Sequence, residues 1–183
     1  VNASGGYALS IAKLFGIQTK YKILPFKGLY LKSVDILNHF KSHIYPVPDI
    51  NQPFLGIHTT ITSDNFLKLG PTAIPVFSPE NYQLFQKLDL QLTPEIISLQ
   101  LALLMENNFK FRDLAFREFK YLFKKNIVDS AQNLSSIKLD NYKYDWYSPG
   151  IRAQLYDTES QKLENDIIIE KRNSSFHLLN SIS

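Results

Sequence analysis

No cysteine occurs in the chain, so disulfides and thiolate metal sites are excluded, and the composition agrees with a reducing compartment. The case for any other metal site is thin. His39 and His43 stand four apart, but Pro46 follows closely and no carboxylate motif completes a ligand set, so both read as surface residues and no metal is expected. No apolar run approaches the ~20 residues that span a bilayer. The richest, "IISLQLALLM" at 96–105, reads as a core helix. The phosphate and nucleophile fingerprints G-x-G-x-x-G, G-x-x-x-x-G-K-[ST] and G-x-S-x-G are all missing, and Gly5-Gly6 alone is a weak phosphate signal. Charge of one sign is also lacking. The 20 basic and 17 acidic residues are interspersed and sum to +3, which argues against a nucleic-acid partner. The densest basic stretch, "FREFKYLFKK", reads as an amphipathic helix with a solvated cationic face, an anionic partner being the alternative.

What is present is globular: 183 residues, 44% hydrophobic and 13% aromatic, enough for a sizeable core. "YALSIAKLFGI" carries apolar residues at Leu9, Ala12, Leu14 and Phe15 and predicts a short helix closed by Gly16. "YKILPFKGLYLKS" predicts a strand bent at Pro25 and Gly28. "SVDILNHF" predicts a helical turn capped by Ser33, and "FLGIHTTITS", "DN" and "FLKLG" predict a hairpin. Ser78-Pro79 and Thr93-Pro94 each predict a capped helix start. Residues 109–139 keep a broken helical pattern, and "IRAQLYD", "DIIIEK" and "FHLLN" predict closing strands. The order is strands, a helical block, then strands again: an α+β chain with mixed or antiparallel sheets rather than a βαβ series. "VNASGG" looks like the end of a strand entering a glycine turn, and "FHLLNSIS" stops just after a strand. Both ends read as cuts through structure, so a piece of a longer protein, or the product of a decayed gene, is expected.

Six blocks then carry a resemblance: "VNASGGYALSIAKLFGI", "LPFKGLYLK", "IYPVPDINQPFLGIHTT", "LGPTAIPVFSPENY", "PGIRAQLYD" and "NDIIIEKRNSSFHLLNSIS". In this order and spacing they resemble the FAD-dependent oxidoreductases of the D-amino-acid oxidase superfamily, in the L-2-hydroxyglutarate oxidase/dehydrogenase branch. The resemblance covers nearly the whole chain. It implies a parent of roughly twice this length whose Rossmann-like FAD half is missing here. The whole of 1–183 then reads as a partial oxidoreductase. Its substrate-binding region would be about 17–140 and its flavin-proximal edges about 1–16 and 148–183.

The resemblance implies oxidation of a small 2-hydroxy acid to the 2-oxo acid by hydride transfer to FAD. Such chemistry must hold the reacting carbon within about 3 to 3.5 Å of the flavin and supply a base for the hydroxyl proton. Pro46, Pro48 and Pro53 would stiffen a pocket wall leading to His58. His58 would be the catalytic base or a hydroxyl-orienting donor; the plainer alternative is a half-buried histidine satisfying a strand neighbour. Substrate contacts are expected at Lys27, Tyr30, Tyr45 and Arg152. Flavin contacts are expected at Ala3, Gly5, Gly150, Arg152 and Asn180. Arg152 could instead form a surface ion pair, and the tyrosines could be simple packing aromatics.

Three departures bear on the substrate. Lys27 and Leu29 in "PFKGLY" stand where the branch usually shows "PFRGEY", "GPTA" at 70–73 replaces the commoner G-P-N-A, and Leu9 replaces a frequent aspartate. Lysine keeps the charge but loses the bidentate fork of arginine. The partners expected are the hydroxy acid and a separately encoded FAD-binding half. The expected location is cytoplasmic, with attachment to the inner face of a membrane left open. A non-catalytic remnant and a stand-alone binding module are the competing readings. In either case the chain alone is expected neither to hold FAD nor to turn over.

Overall fold

The computed structural model describes residues 1–48, 54–82, 87–145 and 149–181. Its elements in chain order are α1 (Ala8–Leu14), β1 (Tyr21–Gly28), β2 (Leu31–Ser33), β3 (His58–Ile61), β4 (Leu67–Gly70), β5 (Ile74–Pro75), α2 (Leu92–Glu106), α3 (Phe111–Lys120), α4 (Lys124–Gln132), β6 (Tyr142–Tyr144), β7 (Gly150–Asp157), β8 (Lys162–Leu163), β9 (Ile168–Arg172) and β10 (Ser175–Asn180). This is an α+β chain. No helix among the described residues is long and apolar enough to cross a membrane.

The chain forms two compact units, each built from separated stretches. Unit 1 takes Val1–Phe26, Pro75–Asp113 and Ile151–Ser183; unit 2 takes Lys27–Ile74 and Leu114–Gly150. The substrate-binding stretch expected at 17–140 is thus shared between both units.

Unit 1 contains the antiparallel ribbon β10-β9 and, apart from Lys27, Gly28, Ile74 and Gly150, the strands of the sheet β5-β1-β7-β8. Its core gathers Ala8, Leu9, Ala12, Ile17, Ile23, Leu155 and Leu179. Leu9 therefore serves packing, which is a physical reason for an apolar residue there. Helix α1 ends as its sequence predicts. Gly16 is left-handed at φ 73° and Ile17 N–H returns to Ala12 O, satisfying a carbonyl at the helix end. Helix α2 begins at Leu92 rather than at Thr93-Pro94, because Asp89 Oδ1 accepts the N–H groups of Gln91 and Leu92, both at 2.8 Å.

Unit 2 contains the sheet β3-β4-β2-β6, whose pairings are all antiparallel. Its core gathers Leu31, Phe40, Ile57, Leu67, Leu69, Ile127, Ala131, Leu139 and Tyr142. The β3–β4 hairpin turns at Asn65, left-handed at φ 61°.

Two predicted helices do not form among the described residues. Around 33–40 the Ser33 hydroxyl donates to Asp35 O and accepts Leu67 N–H, so it ties a turn to β4 instead of capping a helix. Around 78–82 Ser78 Oγ donates to Lys87 O and accepts Glu80 N–H, while residues 83–86 of that predicted helix lie outside the described residues. Local side-chain bonding to the backbone wins over helix start at both serines. The "FREFKYLFKK" stretch divides between α3 and α4. Its solvated face includes Phe116, Phe119 and Phe123 as well as the cations.

Candidate functional site

The best-built constellation lies in unit 2 and centres on "GPTA" at the end of β4. Gly70 has φ 145°, and a Cβ there would stand 2.7 Å from Leu29 O and 2.9 Å from the Tyr30 ring, so only glycine fits. Opposite Gly70 across the hairpin is His58, the first residue of β3. The β1–β2 connection bearing Leu29 and Tyr30 and the strand start bearing His58 therefore meet at the same glycine.

Thr72 holds that connection. Its N–H donates to Leu29 O (3.2 Å), its hydroxyl donates to Lys27 O (3.2 Å), and the same hydroxyl accepts Leu29 N–H (3.0 Å). Lys27 is 8% exposed, and burial pushes its ammonium below the usual lysine range. Tyr30 lies beneath the Lys68 ammonium, 5.2 Å from the ring centre, while Lys68 pairs with Asp145 at 2.7 Å.

His58 is half-buried, and its ring lies 4.5 Å from that of Tyr45. Its Nδ1 is 3.1 Å from Gly56 O. A carbonyl only accepts, so Nδ1 carries the proton and Nε2 keeps its lone pair in the neutral ring. Burial lowers the imidazole pKa below its usual value; the Gly56 carbonyl opposes that shift and His43 adds to it. His43 itself accepts Ile61 N–H at 2.9 Å and is exposed, in line with its surface reading.

The prolines wall something other than His58. Pro46 and Pro48, with Phe54, Ile57 and Pro71, line a cleft of about 260 Å³ whose carboxylate is Glu118. Pro53 lies outside the described residues. Ile57 and Thr59 are buried while His58 between them is half-exposed, as strand alternation requires. Glu118 is 8% exposed, and its Oε2 accepts Ala73 N–H at 2.6 Å. Burial raises its pKa; the Ala73 N–H and the charges of Arg117 and Lys120 oppose the shift.

Sequence reasoning passed over Glu118, which sits in the cationic run. Its signal was the spacing 111, 114, 118, which places it on the buried face of α3 with Phe111 and Leu114.

In unit 1, Ala3, Gly5 and Arg152 are exposed or half-buried, whereas Asn180 is 7% exposed with its amide nitrogen donating to Glu164 O and Asp166 O. Gly150, in unit 2, is exposed. A histidine not singled out in the sequence, His177 of unit 1, is 1% exposed. Asn2 Nδ2 donates to its Nδ1 (3.0 Å), its Nε2 donates to Ser175 Oγ (2.9 Å), and Ser175 Oγ donates to Arg172 O (2.7 Å). No group of three or more potential metal ligands gathers among the described residues.

No family model matches the chain. Among curated proteins, it is 37% identical over 167 residues to the mitochondrial L-2-hydroxyglutarate dehydrogenase of Bos taurus, covering 90% of this chain and 35% of that protein. The chain is a homologue of part of the L-2-hydroxyglutarate dehydrogenases. It is also 35% identical over 120 residues to the enzyme of that name from Nematostella vectensis, covering 65% of this chain and 26% of that protein. The Escherichia coli K12 enzyme is 36% identical over 84 residues, 45% of this chain and 20% of that protein. The chain thus spans about a third or less of the length of these curated relatives.

Proposed function

We propose that this chain is the substrate-binding part of an FAD-dependent enzyme that oxidises L-2-hydroxyglutarate, or a close 2-hydroxy acid, to the 2-oxo acid. The relatives' names support the substrate class. The observation that carries the chemistry is the fixed tautomer of His58, whose Nδ1 proton faces Gly56 O and whose Nε2 is left basic.

In this reading His58 Nε2 takes the hydroxyl proton of the substrate while the C2–H bond gives up its electron pair as hydride. A carbonyl forms at C2, and the enzyme is left two electrons reduced. Bound FAD would supply the hydride acceptor. Tyr45 holds the imidazole plane by ring contact, and burial keeps the ring neutral and competent as a base near neutral pH. Lys27 binds carboxylate, and the Tyr30 hydroxyl contributes a polar contact; Arg152, in unit 1, is a second cation suited to an anionic group. With lysine at position 27, carboxylate recognition relies on a point charge rather than a fork, which loosens selectivity for L-2-hydroxyglutarate.

The residues present suit contact with a flavin. At Gly5 in unit 1, and separately at Gly150 in unit 2, an added Cβ would meet nothing within 4 Å among the described residues, so backbone at each is open to close approach. Ala3 and Arg152 add an exposed backbone and a cation, whereas Asn180 has only its Oδ1 to offer because its amide nitrogen is committed. FAD capture would rest on a flavin-binding region joined to this chain or supplied as a second one.

Kinetics of two variants of the complete enzyme test the assignment. His58→Ala lowers kcat by about 100-fold or more with little change in KM, whereas Arg152→Ala chiefly raises KM. Unchanged kinetics in both would overturn it.

A further inference from the structure

We propose that Glu118 is a positioning residue for substrate capture, acting on Lys27 through the Ala73 and Thr72 backbone. The proposal rests on the reading of Lys27 as a substrate contact. The observations form an unbroken chain within unit 2. Glu118 Oε2 accepts Ala73 N–H at 2.6 Å. The preceding residue, Thr72, grips both sides of the Lys27–Leu29 turn through its hydroxyl and a third point through its N–H. Gly28 leaves no slack, since a Cβ there would stand 2.7 Å from Pro71 Cβ.

The pairing is physically costly, which makes it informative. A carboxylate taken to 8% exposure in a proline-lined cleft loses solvation, and a short hydrogen bond from Ala73 N–H with a looser ion pair between Oε1 and Arg117 Nε (3.8 Å) recovers only part of it. An apolar side chain would continue the buried 111/114/118 face of α3 at no such cost. Glu118 instead supplies an acceptor to Ala73, and so fixes the segment next to the turn that carries Lys27.

Loss of the acceptor frees Ala73 and lets the Lys27–Leu29 turn relax. Capture of the substrate carboxylate then weakens while proton removal by His58 continues. Glu118→Gln retains a carbonyl acceptor for Ala73 N–H and restores most of the effect.

The test is a double-mutant cycle in the complete enzyme with L-2-hydroxyglutarate, joined to backbone amide exchange. Glu118→Ala is expected to raise KM by about tenfold with kcat within about twofold, and Glu118→Gln to return KM to within about threefold of the parent. In a Lys27→Ala background, Glu118→Ala is expected to change KM by less than about twofold, because both act through one contact. A purely structural role would instead give additive effects, or a fall in kcat, and would overturn the proposal. If Lys27→Ala leaves KM unchanged, or the enzyme does not turn over, the functional reading fails instead. Exchange at the Leu29 and Thr72 amides then decides the positioning link alone. Faster exchange in Glu118→Ala than in Glu118→Gln supports it, and equal exchange overturns it.

Discussion

His58 in unit 2 and His177 in unit 1 are the same side chain in opposite settings. Around His177 every polar atom is consumed: Asn2 donates to one ring nitrogen, Ser175 accepts from the other, and Asn2 itself is held by Ala8 O and Ser4. Its neighbours on β10 and at the chain start leave nothing for a ligand. Among the described residues His58 is anchored through Nδ1 alone, to Gly56 O, and it is half-exposed beside Tyr45. A histidine becomes chemically useful when the fold fixes one nitrogen and leaves the other basic, and becomes a structural pin when the fold uses both.

The largest effect that sharpens this contrast is the activity split between the two. His58→Ala is expected to cost about 100-fold in kcat yet shift unfolding free energy by less than about 1 kcal/mol. His177→Ala is expected to destabilise the protein by about 2–3 kcal/mol, since it leaves Asn2 and Ser175 buried without their partner. Chemical denaturation of both variants checks this, and a fully stable His177→Ala would break the comparison. Next in size is the pH dependence of kcat/KM. A base must be deprotonated to act, and burial lowers the His58 pKa, so activity rises through an apparent pKa below 6.5 and levels above it. An inflection above 7 would contradict the buried, neutral imidazole.

A smaller effect contrasts an ion pair in unit 1 with an orphaned hydroxyl in unit 2. Asp157 accepts from Lys20 (2.9 Å) and from Glu159 N–H, and these hold its pKa down to about 2 from 3.8. Its folded pKa is depressed, so its stabilisation is present above pH 4 and fades between about pH 4 and pH 2. Asp157→Asn should flatten that part of an acid-unfolding curve. Tyr142 is the inverse case: burial pushes its hydroxyl up to about 12, and the oxygen has no hydrogen-bond partner among the described residues. Tyr142→Phe should be neutral, or stabilising by up to about 1 kcal/mol, by thermal melting.

Much of the fold was legible because its signals are local. Gly16 closes α1, Asn65 turns the β3–β4 hairpin, and the apolar run at 96–105 forms the body of α2. The misreadings also have local causes. Ser33 and Ser78 have the chemistry of helix caps, but Ser33 donates to the Asp35 carbonyl two residues on and Ser78 to the Lys87 carbonyl nine residues on, a choice that composition does not reveal. The first N–H of α2 is taken by Asp89, three residues before the helix, rather than by the Thr93-Pro94 pair. His58 and Lys27 could be singled out because they stand in "IYPVPDINQPFLGIHTT" and "LPFKGLYLK", two stretches that carry the resemblance. Thr72, Glu118 and His177 act through residues 45 to 175 positions away, so only tertiary structure reveals their partners. Thr72 shows how a departure becomes intelligible: the hydroxyl that replaces an amide at "GPTA" holds the Lys27 turn from both sides.

The central claim is that His58 and Lys27 belong to a site that oxidises a 2-hydroxy acid. Anaerobic mixing of L-2-hydroxyglutarate with this chain, carried with or co-expressed beside a flavin-binding region, tests it most directly. The account predicts that the oxidised flavin absorbance bleaches in the parent protein, bleaches about 100-fold more slowly in His58→Ala, and is absent altogether when this chain is purified alone. Bleaching at the parental rate in His58→Ala, or a loaded protein that never bleaches, would contradict it.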